Sequence, residues 1–419
     1  MDALINTNKF MPFVQLGPDI DGEVADDESG FSVSLSGDGQ RVAIGARKND
    51  ASASGSGIQS GHVRVYKRNG TDWDQMGADI DGEAAGDMSG FSVSLSTDGE
   101  TVAIGAPYHD NSTGHVKVYS FETITNTWVQ SGSDIDGKAA GDQSGWSVSL
   151  SDDGQKVAIG AAYNDGNGHT SGHVSIYTWI EDDGWVQRGA DIGGEASFDK
   201  SGTSVSLSGD GETVAIGAPH NYGSGIQSGH VRIYTWSPNG WVQRGSDIDG
   251  EAPGDKSGSS VSLSTNGETV AIGAKNNSGG GNSRGHVRVY KHEVTGWVQR
   301  GPDIEGYGDY DISGNSVCLS GDGETVAIGA AYNNNGPGYV KVYSWETTTN
   351  TWVERGHIDG EAAGDESGTS VSLSTDGQTV AIGARNHDNS TGHVKVYMWN
   401  EDGTWVASVS ADPYIMTVF

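Results

Sequence analysis

Apolar and small polar residues alternate in short segments along this chain, and this pattern predicts β-strands. Residues 91–96 read F-S-V-S-L-S, which has the two-residue period of a strand. Residues 101–106 (T-V-A-I-G-A), 114–119 (G-H-V-K-V-Y) and 127–130 (T-W-V-Q) give three further strand signals. No segment shows the 3.6-residue period of a helix. The pattern therefore predicts an all-β fold with four strands in this unit.

The four-strand unit is repeated along nearly the whole chain. A Ser-Gly pair opens each copy, and its glycine recurs every 54 to 60 residues, at Gly30, Gly90, Gly145, Gly202, Gly258, Gly314 and Gly368. Seven copies of a four-stranded antiparallel unit are typical of a β-propeller. We therefore predict a seven-bladed β-propeller over residues 13–410, with terminal tails at 1–12 and 411–419.

Turns and ring closure follow from the same repeat. Asp-Gly, or Asn266-Gly267 in one copy, separates the first two strands and predicts a tight hairpin in which both turn residues have positive φ. The fourth-strand signal occurs eight times, because Phe13-Val14-Gln15 precedes the first unit and Trp405-Val406-Ala407 follows the last. We expect the N-terminal segment to lie in the last blade, with one of these two segments outside the regular pairing.

The units resemble FG-GAP repeats, the propeller repeats of integrin α-subunits and of many microbial surface proteins. Gly90-Phe91 with Gly105-Ala106-Pro107 carries the resemblance, and the following V-x-V-Y strand also fits. It implies an extracellular or cell-surface adhesion protein. The family's calcium loop, D-x-D-x-D-G between the first two strands, is missing here. A kelch-type propeller is the alternative, although its double glycine is absent.

Composition narrows the range of partners. The net charge of −32 disfavours nucleic acid and anionic membranes. No stretch is long enough to span a membrane, and no signal peptide is visible at the N-terminus. The single cysteine, Cys318, replaces a serine of a repeated strand and is expected to be buried and inert.

Carboxylates are concentrated in the loop between the fourth strand of one unit and the first strand of the next, which reads D-I-D-G-E-A-A-G-D-x-S-G. Closely spaced carboxylates and carbonyls at glycine bends are ligands that Ca²⁺ prefers. Alternatively, the acidic residues of this loop serve solubility alone, and its last aspartate fixes the turn by a hydrogen bond. The predicted calcium ligands are Asp19, Asp21, Glu23, Asp79, Asp81, Glu83, Asp134, Asp136, Asp247, Asp249, Glu251, Asp303, Glu305, Asp359 and Glu361.

The loops between the second and third strands are polar and vary from copy to copy. They should emerge on the same face as the acidic loops, and loops on a rigid scaffold usually carry binding. Their tyrosines are the predicted ligand-binding residues: Tyr108, Tyr163, Tyr222 and Tyr332. Six units carry Gly-His-Val at the start of the third strand, which favours a structural histidine. Zinc is not expected, because no H-x-x-H motif or Cys/His cluster occurs.

These patterns lead to a functional prediction. A catalytic site needs a unique, asymmetric group of residues, whereas here each acidic group recurs around the ring. We therefore predict a non-catalytic, extracellular, monomeric binding or adhesion scaffold, assisted by calcium, for a protein or glycan partner on the cell surface or matrix. The alternatives are a multivalent lectin, for which the loop tyrosines would serve, and an enzyme acting on polysaccharide.

Overall fold

The computed structural model describes residues 13–50, 58–279 and 282–400, and they form seven antiparallel sheets around a common axis. The predicted seven-bladed β-propeller is confirmed. The predicted tails at 1–12 and 411–419 lie outside the described residues. No helix among the described residues is long and apolar enough to cross a membrane.

The first two strands of each blade lie closest to the axis. The innermost strands are β3 Ser29–Leu35, β8 Ser92–Leu95, β13 Ser144–Leu150, β18 Ser204–Leu207, β23 Ser257–Leu263, β28 Ser316–Leu319 and β32 Ser367–Leu373. Their partners are β4 Arg41–Ala46, β9 Thr101–Ala106, β14 Lys156–Ala161, β19 Thr213–Ala218, β24 Thr269–Ala274, β29 Thr325–Ala330 and β33 Thr379–Ala384.

The third and fourth strands form the outer half of each blade. The third strands are β5 His62–Asn69, β10 His115–Glu122, β15 His173–Ile180, β20 His230–Ser237, β25 His286–Glu293, β30 Tyr339–Glu346 and β34 His393–Trp399. The fourth strands are β6 Asp72–Gln75, β11 Thr127–Gln130, β16 Gly184–Gln187, β21 Gly240–Gln243, β26 Gly296–Gln299 and β31 Thr351–Asp359.

A bulge interrupts most fourth strands, and a two-residue segment then resumes pairing with the third strand. These segments are β2 Ile20–Asp21, β7 Ile80–Asp81, β12 Ile135–Asp136, β17 Ile192–Gly193, β22 Ile248–Asp249 and β27 Ile304–Glu305. Short helical turns occur at α1 His109–Ser112, α2 His387–Ser390 and a 3₁₀ turn Asn333–Asn335.

The N-terminal segment closes the ring. Strand β1, Phe13–Gln15, pairs antiparallel with β34 and becomes the fourth strand of blade seven. The Phe13 ring meets the Trp399 ring edge-on at 5.2 Å. The competing segment around Trp405 lies outside the described residues. Closure of this kind removes the free sheet edges that an open array would expose.

Polar contacts tie the inner strands together around the axis. At one end, the backbone N–H of one blade donates to the carbonyl of the next in a closed circle of Gly37, Thr97, Asp152, Gly209, Thr265, Gly321 and Thr375. Higher up, serine hydroxyls accept from leucine amides of the adjacent blade, as Ser372 does from Leu35 at 2.9 Å. Cys318 takes the serine's place once and accepts from Leu373 at 3.2 Å.

Aromatic residues bind the outer parts of neighbouring blades. The indole N–H of Trp73 donates to the carbonyl of Leu16 in the preceding blade at 2.6 Å, and Trp352 donates likewise to Arg300 at 2.8 Å. The repeated tryptophans therefore serve packing between neighbouring blades.

The hairpin between the first two strands is present, but its turn type differs from the prediction. Gly39 has φ +65°, whereas Asp38 is not among the residues of positive φ. Asp38 instead accepts from the Ser36 hydroxyl and the Gln40 amide through one carboxylate oxygen, at 2.6 and 2.9 Å. The side chain of Asp38 therefore fixes this turn, as aspartate does in Asx-turns.

Candidate active site

Acidic loops and variable loops lie at the same end of the propeller. Asp27 of the first acidic loop accepts from Asn49 of the first variable loop at 2.9 Å. The last aspartate of every acidic loop is buried and also accepts a backbone N–H three residues earlier, as from Val24 to Asp27 at 3.0 Å. This aspartate therefore fixes the two loops against each other.

The residues predicted to bind calcium lie further out, at the bulge of the fourth strand. Asp19 accepts from the Gln15 amide at 2.7 Å, and the same contact recurs from Gln75 to Asp79 at 2.6 Å. Glu23 faces Arg64 at 3.5 Å, while Arg64 also donates to the carbonyl of Asp21 at 2.8 Å.

Positively charged side chains stand among the same carboxylates in the other blades. The paired groups are Glu83 with Lys117, Asp134 with Lys117, Glu251 with Arg288, Glu361 with Lys395, and Asp19 with Lys395. The bulge aspartates Asp247 and Asp303 approach buried His230 and His286 at 3.7 and 3.5 Å. Five further predicted calcium ligands pair through their backbone with the first residue of a third strand: Asp81, Asp136, Asp249, Glu305 and Asp359. Calcium at these residues stays a prediction, and it would have to compete with cations already in contact.

Two blades lack the loop glutamate that contacts a basic side chain in the others, and each provides another contact for a cation. Blade three has Lys138 where others have glutamate, and this lysine contacts Asp191 at 2.5 Å. In blade six, the Lys341 ammonium lies 3.3 Å from the centre of the Tyr307 ring. Burial lowers the pKa of Lys341 to about 8. The compensations indicate that a cation contact at this position is part of the blade structure.

The seven-fold symmetry breaks around the axis, at the residue after each Ser-Gly pair. In blades one to three this residue is aromatic. The Phe31 and Phe91 rings lie 5.1 Å apart, Phe91 and Trp146 4.7 Å apart, and Trp146 and Tyr163 5.3 Å apart. One half of the axial opening is therefore bordered by aromatic rings.

The opposite half is cationic. The Lys200 ammonium donates to the Tyr163 hydroxyl at 3.1 Å, and Lys275 contacts Asn315 at 3.4 Å. Lys256 and Lys200 lie close enough to act on the same imidazole, that of His220. None of these three lysines forms an ion pair with a carboxylate inside the described ranges, which leaves a positive centre on a very acidic chain.

His220 stands among the three lysines. Burial, followed by the charges of Lys200, Lys256 and Lys275, lowers the pKa of His220 to about 4. Its imidazole is therefore neutral at neutral pH and can accept a proton. Burial, together with Lys256 and Arg385, also lowers the pKa of Lys275.

Contacts through the remaining blades complete the circle. Asn315 donates to the Thr369 carbonyl at 3.3 Å, and the Arg385 guanidinium lies 5.6 Å from the Phe31 ring centre. We call this group the axial cluster; its members are Phe31, Phe91, Trp146, Tyr163, Lys200, His220, Lys256, Lys275, Asn315 and Arg385.

Three of the four tyrosines predicted to bind a ligand contact the axial cluster. Tyr163 belongs to it, Tyr108 packs edge-on to Phe91 at 6.2 Å, and the Tyr332 hydroxyl accepts from Arg385 at 3.4 Å. Tyr222, two residues after His220, is exposed. Sequence reasoning missed the lysines and His220. An alignment of the seven repeats would have pointed to this region, because the residues after Ser-Gly and at the start of each variable loop differ from repeat to repeat.

Comparison with known proteins supports the fold and changes the functional prediction. The FG-GAP repeat family matches residues 135–177, so the resemblance is confirmed over that unit. No curated protein matches the chain in sequence. Solved propellers similar to it include the periplasmic gluconolactonase PpgL of Pseudomonas aeruginosa, with TM-score 0.53, 13% identity, and 79% of this chain and 86% of that chain covered.

Two further similar structures are proposed 6-phosphogluconolactonases. The protein from Bacteroides uniformis has TM-score 0.55 and 12% identity, and the match covers 85% of this chain and 95% of that chain. The protein from Bacteroides fragilis has TM-score 0.54 and 11% identity, with 84% and 93% covered. At these identities the likeness establishes the fold alone.

The predictions of a non-catalytic adhesion scaffold and of a chain that is not an enzyme are contradicted by these neighbours, which carry the names of lactonases. The symmetry argument behind those predictions failed for a physical reason. It compared the repeated acidic loops, whereas the non-repeated residues meet at the axis. There, His220 and three lysines form a group of residues that does not recur around the ring.

Proposed function

We propose that this chain is a hydrolase of sugar lactones and that the axial cluster is its active site. One observation carries the proposal: three lysines that lack carboxylate partners among the described residues lie near enough to His220 to help lower the pKa of its imidazole. The names of the structural neighbours supply the class of reaction. The charge of the site supplies the preference for an anionic substrate.

The proposed chemistry is a base-assisted attack of water on the lactone carbonyl. His220 takes a proton from water as the new C–O bond forms, which is the role of a general base. The ammonium groups of Lys200 and Lys275 stabilise the negative charge that develops on the carbonyl oxygen. The ring C–O bond then breaks, the protonated His220 returns its proton to the leaving oxygen, and the product is a hydroxy acid.

The aromatic half of the cluster would position the sugar. The faces of Phe91, Trp146 and Tyr163 offer apolar surface to the C–H face of a sugar ring. A phosphate or carboxylate on the substrate would meet Lys256 and Arg385 on the other side. Because screening weakens charges beyond roughly 8 Å in physiological salt, the distant carboxylates of the chain oppose this local attraction only weakly.

Hydrolysis of glucono-δ-lactone and of 6-phosphogluconolactone tests the proposal, with the spontaneous rate subtracted. We expect His220→Asn to lower kcat by about 10² to 10⁴. His169→Asn is the matched control, because His169 is exposed and makes no contact with the axial cluster. Lys256→Met should raise KM more for the phosphorylated lactone than for the neutral one. Full activity of His220→Asn, or no hydrolysis of either lactone by the wild type, would refute the proposal.

We also propose an extracytoplasmic location, in keeping with the periplasmic neighbour. This is the part of the extracellular prediction that the comparisons support. A monomeric state stays a prediction, as does an external partner.

A further inference from the structure

Two of the variable loops have the same sequence and bring pairs of histidines together. Residues 109–119 and 387–397 both read H-D-N-S-T-G-H-V-K-V-Y. The ring centres of His109 and His115 lie 4.1 Å apart, and those of His387 and His393 lie 4.0 Å apart. Blades two and seven therefore carry the same pair of imidazoles at equivalent positions.

In each pair, the first histidine is oriented by a buried aspartate. Nδ1 of His109 lies 2.9 Å from Asp87, and Nδ1 of His387 lies 3.0 Å from Asp365. A carboxylate in this position fixes the ring and leaves Nε2 free, as it does for metal-binding histidines. Nε2 of His387 lies 4.0 Å from a carboxylate oxygen of Glu361.

The second histidine of each pair has an unsatisfied nitrogen. His115 and His393 are only 3% and 2% exposed. Within the described part of the chain, Nδ1 of each ring has no hydrogen-bond partner. The nearest carboxylates, of Asp134 and Asp19, are 3.9 and 3.8 Å away, beyond hydrogen-bond reach. A buried polar atom without a partner has an ion as one of its ordinary explanations. His286, which has no paired histidine, also has an unpartnered Nδ1, so the feature specific to blades two and seven is the second imidazole about 4 Å away.

We propose that each of these trios binds a divalent transition-metal ion of the Zn²⁺ class, so that the chain holds two equivalent sites. One trio is Glu83, His109 and His115, and the other is Glu361, His387 and His393. The candidate ligand atoms of each trio lie within 4.8 Å of one another.

The ligand set suits such an ion. Two imidazoles and one carboxylate are an established zinc set, and a fourth ligand completes the tetrahedron. Ligands around Zn²⁺ stand about 3.3 Å apart, so the trio must contract modestly. Glu83 and Glu361 are half-exposed and pair with Lys117 and Lys395, so a bound metal ion would have to displace one ammonium group at each site. Asp134 and Asp19 stand next to the second histidines as fourth ligands.

Other blades provide a substitution that keeps the loop and removes the ligand. Asn49, Asn164, Asn221 and Asn277 stand where His109 stands, and each donates to its own buried aspartate at 2.9 to 3.1 Å. His109→Asn should therefore keep the contact with Asp87 while it deletes the ring nitrogen that faces the site.

The experiment is Zn²⁺ calorimetry, with Co²⁺ absorption as a second readout, on chelator-treated protein without a histidine tag. We expect two equivalents of metal for the wild type, one for His109→Asn or His387→Asn, and none for the double variant. His169→Asn should keep two. Melting curves verify that the variants are folded. Absence of binding, or two equivalents retained by the double variant, would overturn the proposal.

Discussion

A methyl group added at Gly329 should force two blades apart. A Cβ at this position would lie 2.2 Å from the carbonyl oxygen of Gly368 and 2.3 Å from Oγ of Ser316. Both distances are more than 1 Å shorter than a normal non-bonded contact. The Gly368 oxygen belongs to the backbone of the next blade, so a side-chain rotation cannot relieve the clash with it.

The cost of Gly329→Ala has two parts. Overpacking in a filled site costs about 1–3 kcal/mol. The Ser316 hydroxyl donates to the Gly368 carbonyl at 2.8 Å, and loss of that bond adds about 1 kcal/mol. The free energy of unfolding should therefore fall by about 2–4 kcal/mol. With an unfolding entropy of about 2.1 cal/mol/K per residue, Tm should drop by about 2–5 °C in a propeller of this size.

Scanning calorimetry measures this change against a control that adds the same atom elsewhere. For Gly308→Ala, the nearest atom to the new Cβ is a carboxylate oxygen of Asp311 at 3.6 Å, an ordinary contact. Neither glycine has the positive φ that would penalise alanine. Gly217 faces the same clash at 2.1 Å in another blade, so Gly217→Ala should match Gly329→Ala. Equal Tm values for the Gly329 and Gly308 variants would refute the steric argument.

Three more predictions concern chemistry. Burial raises the pKa of the Cys318 thiol, so a thiol reagent should label Cys318 only after unfolding, and fast labelling of the folded protein would contradict this. If His220 is the base, kcat/KM should rise between pH 3 and 5, around the His220 pKa of about 4, and stay flat through pH 6.5. Lys200→Met should move this rise to higher pH, because it removes a positive charge near the imidazole. A rise centred near pH 6.5 in the wild type would exclude the assignment. If the bulge carboxylates bind calcium, titration of chelator-treated protein with Ca²⁺ should give heat of binding in a calorimeter. Absence of heat at millimolar Ca²⁺ would exclude these carboxylates as calcium ligands.

The strand order was predictable from the sequence because each strand repeats its pattern seven times. The hairpin at Asp38-Gly39 was predictable in position but not in type, since its conformation depends on a side-chain hydrogen bond from Ser36. Which terminus completes blade seven was not fixed by pattern, because Phe13 and Trp405 both open an acceptable fourth-strand segment.

The candidate sites were harder to predict, for two different reasons. The sequence predicted the carboxylates at the bulges as metal ligands. In the fold, basic side chains of the third strands contact these carboxylates, as Arg64 contacts Glu23 and Lys395 contacts Asp19. The paired histidines were overlooked because His109 and His115 are six residues apart. The turn between them, in which Asp110, Asn111 and Ser112 have positive φ, brings their rings together.

The division between repeated and variable positions explains how a symmetric scaffold can carry a unique site. Positions such as Gly329 and Ser316 form the same inter-blade contact seven times, so a change there costs stability. His220 and Lys275 lie beyond the ends of the inner strands, at the starts of the variable loops. Substitutions at such positions leave the contacts between the inner strands intact. Under the proposed function, we therefore expect His220→Asn to change kcat with little change in Tm, the reverse of variants at the inner-strand glycines.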